Sequence, residues 1–155
     1  MAAFDFKFNL PLGEWEDQTT YIFKGPTVDD LEHYLMMVID RHLETASLEE
    51  YTKERTKLIT SSLEDVDVIK DTKITLPGDI PMNDLLIKWT VAPQVVRYKR
   101  YMFTIKHGMG FTLNCDFTMD SYRAVSHQVT RVVTALFAED DTPAPKTQPP
   151  QGMNT

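Results

Sequence analysis

The chain has 155 residues, 42% of them hydrophobic, which is enough for one compact domain with its own core and gives no reason to divide it. A formal net charge of -7 argues against nucleic-acid backbones and anionic membrane surfaces as partners, unless a local basic patch overrides it. The lone Cys115 can form no internal disulfide, and no second cysteine exists for a thiolate zinc site or a CxxC redox pair, so a reduced compartment fits best.

Taken in order, Phe4, Phe6 and Phe8 alternate with polar residues and predict a half-buried opening strand. This beginning lacks a basic segment followed by an apolar run, and no apolar stretch is long enough to span a bilayer, so a soluble cytoplasmic protein is expected. Pro11 and Gly13 turn the chain, and Thr19 to Lys24 reads as a second strand closed by Gly25-Pro26.

His33 to Asp40 is the third strand. Its centre, Tyr34 to Ile39, is apolar at every position, so both faces of the strand are sticky. A helix is the alternative, since Asp29, Asp30 and Glu32 would suit a helix N-terminus, but apolarity on all sides favours the strand.

Ser47 and Glu50 make a capping-box pattern, and Leu48, Tyr51, Leu58 and Ile59 form the stripe of a helix running to about Ser62. Strands follow at Asp65 to Leu76, Asp84 to Val91 and Val95 to Lys106, separated by Pro77-Gly78 and Pro93-Gln94. His107 to Gly110 reads as a hairpin loop, and Phe111, Leu113, Cys115 and Phe117 as the inward set of the last strand.

Asp120 can cap a final helix whose apolar residues Tyr122, Val125, Val129, Val132, Val133 and Leu136 recur every three or four positions. From residue 138 onward the chain is acidic and then rich in Pro, Gln and Thr, which predicts a disordered tail after a single domain at 1–137. The whole pattern predicts an α+β fold: an antiparallel sheet of six to seven strands with two helices, expected on one face and leaving the other apolar.

Catalytic chemistry finds little footing. His33, His42, His107 and His127 have no metal-ligand spacing. Asp65 and Asp67 lack the rest of a calcium loop and read as solvent-facing strand residues, while Gly108 and Gly110 join strands rather than open a helix. Cys115 alternates with core residues, so it reads as packing rather than as a nucleophile. No enzyme, cofactor or metal is indicated.

The interleaved Arg97, Tyr98, Lys99, Arg100, Tyr101 and Phe103 could suit single-stranded nucleic acid, but overall acidity favours a charge-paired edge or a partner-contacting face. The doubly apolar strands are the stronger lead. They fit client binding, which the flexible Met36 and Met37 would help, and they fit equally a homodimer or a sandwich with a helix on each face.

Several segments in order carry a resemblance: Trp15-Glu-Asp-Gln18 before Ile22-Phe23-Lys24, the strand ending Asp40-Arg41, the helix around Tyr51, Leu85-Leu86-Ile87-Lys88-Trp89 and Arg100-Tyr-Met-Phe-Thr-Ile105. Over about Phe4 to Phe137 the chain resembles the DcrB-like family with a PsbP-like fold, and within it the Eag chaperones of bacterial type VI secretion. The resemblance implies a cytoplasmic, usually dimeric adaptor without enzymatic activity, which shields the N-terminal transmembrane helices of an Rhs/PAAR-type effector before export. It places client contacts at Thr20, Ile22, Met36, Asp40 and Phe103, to which strand alternation adds Val38. Thr20 stands where the family has an apolar residue and Asp40 where it has a small hydroxyl residue. A different interaction module of the same fold, such as a GTPase-binding or accessory factor, is the alternative.

Overall fold

The computed structural model describes residues 10, 11 and 13–138. The strand expected over Phe4 to Asn9 and the tail beyond Ala138 lie outside the described residues. Within them the chain runs β1 (Thr20–Val28), β2 (Leu31–Asp40), α1 (Leu48–Ser62), β3 (Asp67–Leu76), β4 (Ile80–Ala92), β5 (Val95–Lys106), β6 (Met109–Phe117) and α2 (Met119–Phe137). The strands form one antiparallel sheet in the order β1-β2-β6-β5-β4-β3. This is the α+β architecture that the pattern predicts, and Tyr34 to Ile39 is a strand.

Left-handed turn residues set the hairpins. Asp29 and Asp30 join β1 to β2, and His107 and Gly108 join β5 to β6, each pair with positive φ as a two-residue primed turn requires. The last loop is therefore shorter than the expected His107 to Gly110, because two such residues suffice and Met109 and Gly110 already pair in β6. Gly25-Pro26 does not end β1. A bulge between Lys24 and Thr27 absorbs the irregularity, which an edge strand tolerates because proline's missing N–H has no neighbour to serve.

One face of the sheet carries the larger core. Leu35, Met37 and Ile39 of β2, Phe111, Leu113, Cys115 and Phe117 of β6, and Met102 of β5 pack beneath Val125, Val129, Val133 and Phe137 of α2. Phe111 and Phe137 meet edge to face with centroids 5.0 Å apart. The N-cap of α2 is Thr118 rather than Asp120. Thr118 and Ser121 exchange side-chain and backbone hydrogen bonds as a reciprocal capping box, and Asp120 serves only as an acidic first-turn residue. Val132, assigned to the buried stripe, is 41% exposed, while its neighbour Val133 takes the inward position.

The two helices do not share a face. α1 lies on the opposite side, where Tyr51, Leu85, Ile87, Tyr101 and Phe103 make a second, smaller core. The cause is local. Gly110 leaves a notch in the sheet, and a Cβ there would come within 2.5 Å of the Tyr51 ring. Tyr51 fills the notch, meets Phe103 edge to face and shares a hydrogen bond with the Thr112 hydroxyl at 3.0 Å. Leu58, expected on the same stripe, is exposed. Ser47 caps the helix by accepting from the Glu50 N–H, but the Glu50 carboxylate accepts from the Thr45 hydroxyl, so the box is not reciprocal.

Arg100 corrects the reading of β5 as a charge-paired edge. β5 is interior, and Arg100 is buried, paired in two-pronged fashion with Asp84 on β4 at 2.9 and 3.0 Å, and donates to the Ser126 carbonyl on α2. This network ties helix to sheet. Asp65 lies before β3 with positive φ, a loop position rather than a strand one, whereas Asp67 is an exposed strand residue.

Candidate functional site: an uncovered half of one sheet face

Register decides which side chains share a face. Thr20 pairs with Val38, Val38 with Thr112, Thr112 with Phe103, and Phe103 with Asn83, which makes one lateral row across the sheet. Ile22, Met36, Asn114, Tyr101 and Leu85 make the next row. The sequence-predicted residues Thr20, Ile22, Met36, Val38, Asp40 and Phe103 therefore all belong to the face that carries α1.

α1 covers only the part of that face made by β4, β5 and the Gly110 notch. Over β1 and β2 the face is open, with Ile22 59%, Tyr34 41% and Met36 36% exposed. On the opposite parity of β2, Leu35, Met37 and Ile39 are buried under α2, which explains why the run is apolar throughout. One parity builds the core and the other stays at the surface.

Phe103 departs from expectation. It belongs to the right face but lies fully buried beneath α1, stacked on Tyr101 with centroids 6.1 Å apart. It supports the floor and cannot be exposed in the free protein. Asp40 is only half-buried, and its carboxylate accepts from the His42 N–H at 3.1 Å, so it shapes the chain's exit from β2 as well as edging the open face. Thr20 is exposed at the start of β1.

Alternation in the sequence could have supplied Tyr34, which shares parity with Met36 and Val38 and was not among the predicted contacts. Asn114 and Asp116 could be known only from the β2–β6 pairing. They border the open area on the α1 side, with Lys99 3.7 Å from Asp116 and its ammonium 5.6 and 5.7 Å from the Trp89 and Tyr101 ring centres. Burial, aided by the Asp116 charge, raises the Tyr101 phenol pKa far above its ordinary value and keeps it neutral. At the other end Lys24 and Glu32 form an exposed pair at 3.4 Å.

Asp17 anchors the approach to β1. Its carboxylate accepts from the Thr19 hydroxyl and N–H and lies 2.9 Å from the Arg41 guanidinium at the end of β2. The Thr19 hydrogen bonds, with a smaller contribution from Arg41, hold its pKa below the usual carboxylate value against the opposing effect of burial. Cys115 is buried under α2, its thiol pushed up to about 12 chiefly by burial. His33 is also buried, with its ring nitrogens 2.9 Å from the Pro26 carbonyl and 2.9 Å from the Ser121 hydroxyl. Among the described residues no cluster of three or more His, Cys, Asp or Glu could hold a metal ion, and no helix is long and apolar enough to cross a membrane.

The fold and the open face define an α+β sheet protein with a helix on each side, one of which leaves apolar strands uncovered. The chain belongs to the DcrB family, whose model matches residues 6–135. Among solved structures it is similar to a protein of unknown function from Pseudomonas aeruginosa, PA94, described as a candidate regulator. The match has 16% identity and a TM-score of 0.67, and it covers 94% of each chain. That likeness carries the fold. CalU16 from Micromonospora echinospora matches at 13% identity and a TM-score of 0.35, over 80% of this chain and 88% of its own. A comparison with curated proteins gave no match.

Proposed function

We propose that this chain is a cytoplasmic, non-enzymatic adaptor of bacterial type VI secretion that holds the N-terminal transmembrane helices of an Rhs/PAAR-type effector until export, working as a homodimer. The observation that carries the reading is the open apolar half-face. Ile22, Tyr34 and Met36 form an exposed apolar surface beside a helix that covers the β4–β5 part of that face. Strands lie about 4.8 Å apart, so β1, β2 and β6 span about 10 Å, the width of one helix. A client helix laid beside α1 would complete the layer and remove its own apolar surface from water.

The side chains suit that role. Met36 is unbranched and adaptable, Tyr34 offers a ring with a polar tip, and Asn114 and Asp116 border the floor with hydrogen-bonding groups that a transmembrane helix's Ser, Thr or Gly positions could meet. The sequence segments that resemble the Eag chaperones run through the same strands.

The test is co-expression with the effector's N-terminal fragment, followed by pull-down, for the wild type and for Met36→Asp. Recovery of the fragment by the wild type and its loss with a folded variant support the proposal. Equal recovery by both removes the face from client binding. A fragment that the wild type fails to hold would favour another interaction module, of the GTPase-binding or accessory kind, with the open face used for self-association.

A further inference from the structure

The other flank of α1 holds a site of a different character. Between α1 and the β3–β4 edge lies a groove of about 570 Å3, lined on the helix side by Thr52, Lys53, Thr56 and Lys57 and on the sheet side by Asp71 and Asn83. Its volume is in the range of small-molecule sites. Positions 52, 53, 56 and 57 recur at helical spacing, so this is a continuous polar stripe of α1 facing charged strand residues rather than a packed interface.

We propose that this groove binds a small zwitterion of net negative charge, the chemistry of an acidic amino acid. Asn83 is 95% buried by its 5% exposure, and its Nδ2 donates to the Thr52 hydroxyl at 2.5 Å. The Oδ1 has no partner, and neither has the buried Thr56 hydroxyl. Whichever way the amide is turned, Thr52 holds one of its polar atoms and the other is left over. A buried polar atom without a partner is costly, so the groove is built to be completed from outside.

The charges around it define what completes it. Among the described residues no ion pair engages Lys53, Lys57 or Asp71, whereas Lys73 and Glu49 on the rim neutralise each other at 3.3 Å. Two free ammonium groups on the helix side call for carboxylates. One free carboxylate on the sheet side calls for an ammonium, and the leftover Asn83 amide atom can meet either end of such a ligand, as an acceptor for the ammonium or a donor to a carboxylate. The excess of one positive charge favours a ligand with one more carboxylate than ammonium. L-Glutamate and L-aspartate meet these conditions. Glutarate lacks the ammonium, and L-lysine has the wrong excess.

Isothermal titration of the full-length protein with L-glutamate, L-aspartate, glutarate and L-lysine tests the site. Saturable binding of the two acidic amino acids, at least about tenfold tighter than glutarate or L-lysine, is the expected result. Asp71→Ala should weaken L-glutamate about tenfold while glutarate binds as well or better, and Lys53→Ala or Lys57→Ala should weaken both. All three residues are exposed, so melting temperatures should stay at the wild-type value. No saturable heat with either acidic amino acid at about 10 mM would overturn the proposal, as would equal affinity for L-lysine or binding unchanged in the three variants. In those cases water alone completes the Asn83 and Thr56 groups.

Discussion

Replacing Ile22 by aspartate should separate binding from folding. The side chain is 59% exposed on an edge strand, so roughly two-fifths of its surface is buried, on the order of 60 Å2. At about 25 cal/mol per Å2 the substitution removes about 1.5 kcal/mol of burial, an upper bound because unfolded chains already bury some apolar surface. A small domain then melts several degrees lower and remains folded at room temperature. Binding is affected differently. A carboxylate set against an apolar client helix must lose its water without a partner, at a cost of about 3 kcal/mol or more, which is over a hundredfold in affinity. The assays are thermal melting of the variant alone and capture of the effector's N-terminal fragment. A folded Ile22→Asp protein that captures the fragment as well as the wild type refutes the reasoning. The same change at Phe103, fully buried under α1, should instead unfold the domain.

Further expectations follow from the interior. Gly110→Ala drives a methyl into the Tyr51 ring and should cost about 1–3 kcal/mol by denaturant unfolding; unchanged stability would show that Tyr51 does not fix α1. Asp84→Ala leaves the buried Arg100 with only Ser126 and should cost about 3–5 kcal/mol, while an effect under about 1 kcal/mol would mean that water reaches the site. Because the folded state depresses the Asp17 pKa, its contribution to stability is present above the unfolded carboxylate range and lost as pH falls through the folded value. Melting temperature should therefore drop less steeply below about pH 4 in Asp17→Asn than in the wild type, and parallel curves would dismiss the linkage.

Much of this was legible from local pattern. The Tyr34 to Ile39 run announced a strand with two working faces, and parity alone put Met36 and Val38 together, away from Leu35, Met37 and Ile39. The turn residues located the hairpins because their chemistry is local. The side chosen by α1 was not legible. Its apolar stripe is weak, with Leu58 exposed and Tyr51 buried, and what decides its side is the notch at Gly110, far along the chain. The same holds for Arg100, which looked like an edge charge until the pairings with β4 and β6 enclosed β5 within the sheet. Phe103 was placed on the correct face but in the wrong environment, since parity fixes the face of a strand residue and not what covers it.

The central claim, that a client helix lies on the β1–β2 half of the α1 face, is tested most directly by site-specific photocrosslinking. A photoreactive residue would replace Ile22 in one protein and Val68 in another. Both positions are exposed, but Val68 lies on β3 beyond α1. Each protein would be co-expressed with the effector's N-terminal fragment and irradiated. Crosslinks to the fragment from position 22 and none from position 68 are the predicted result. Crosslinks from position 68 alone, or from position 22 only to a second copy of this chain, would contradict the account.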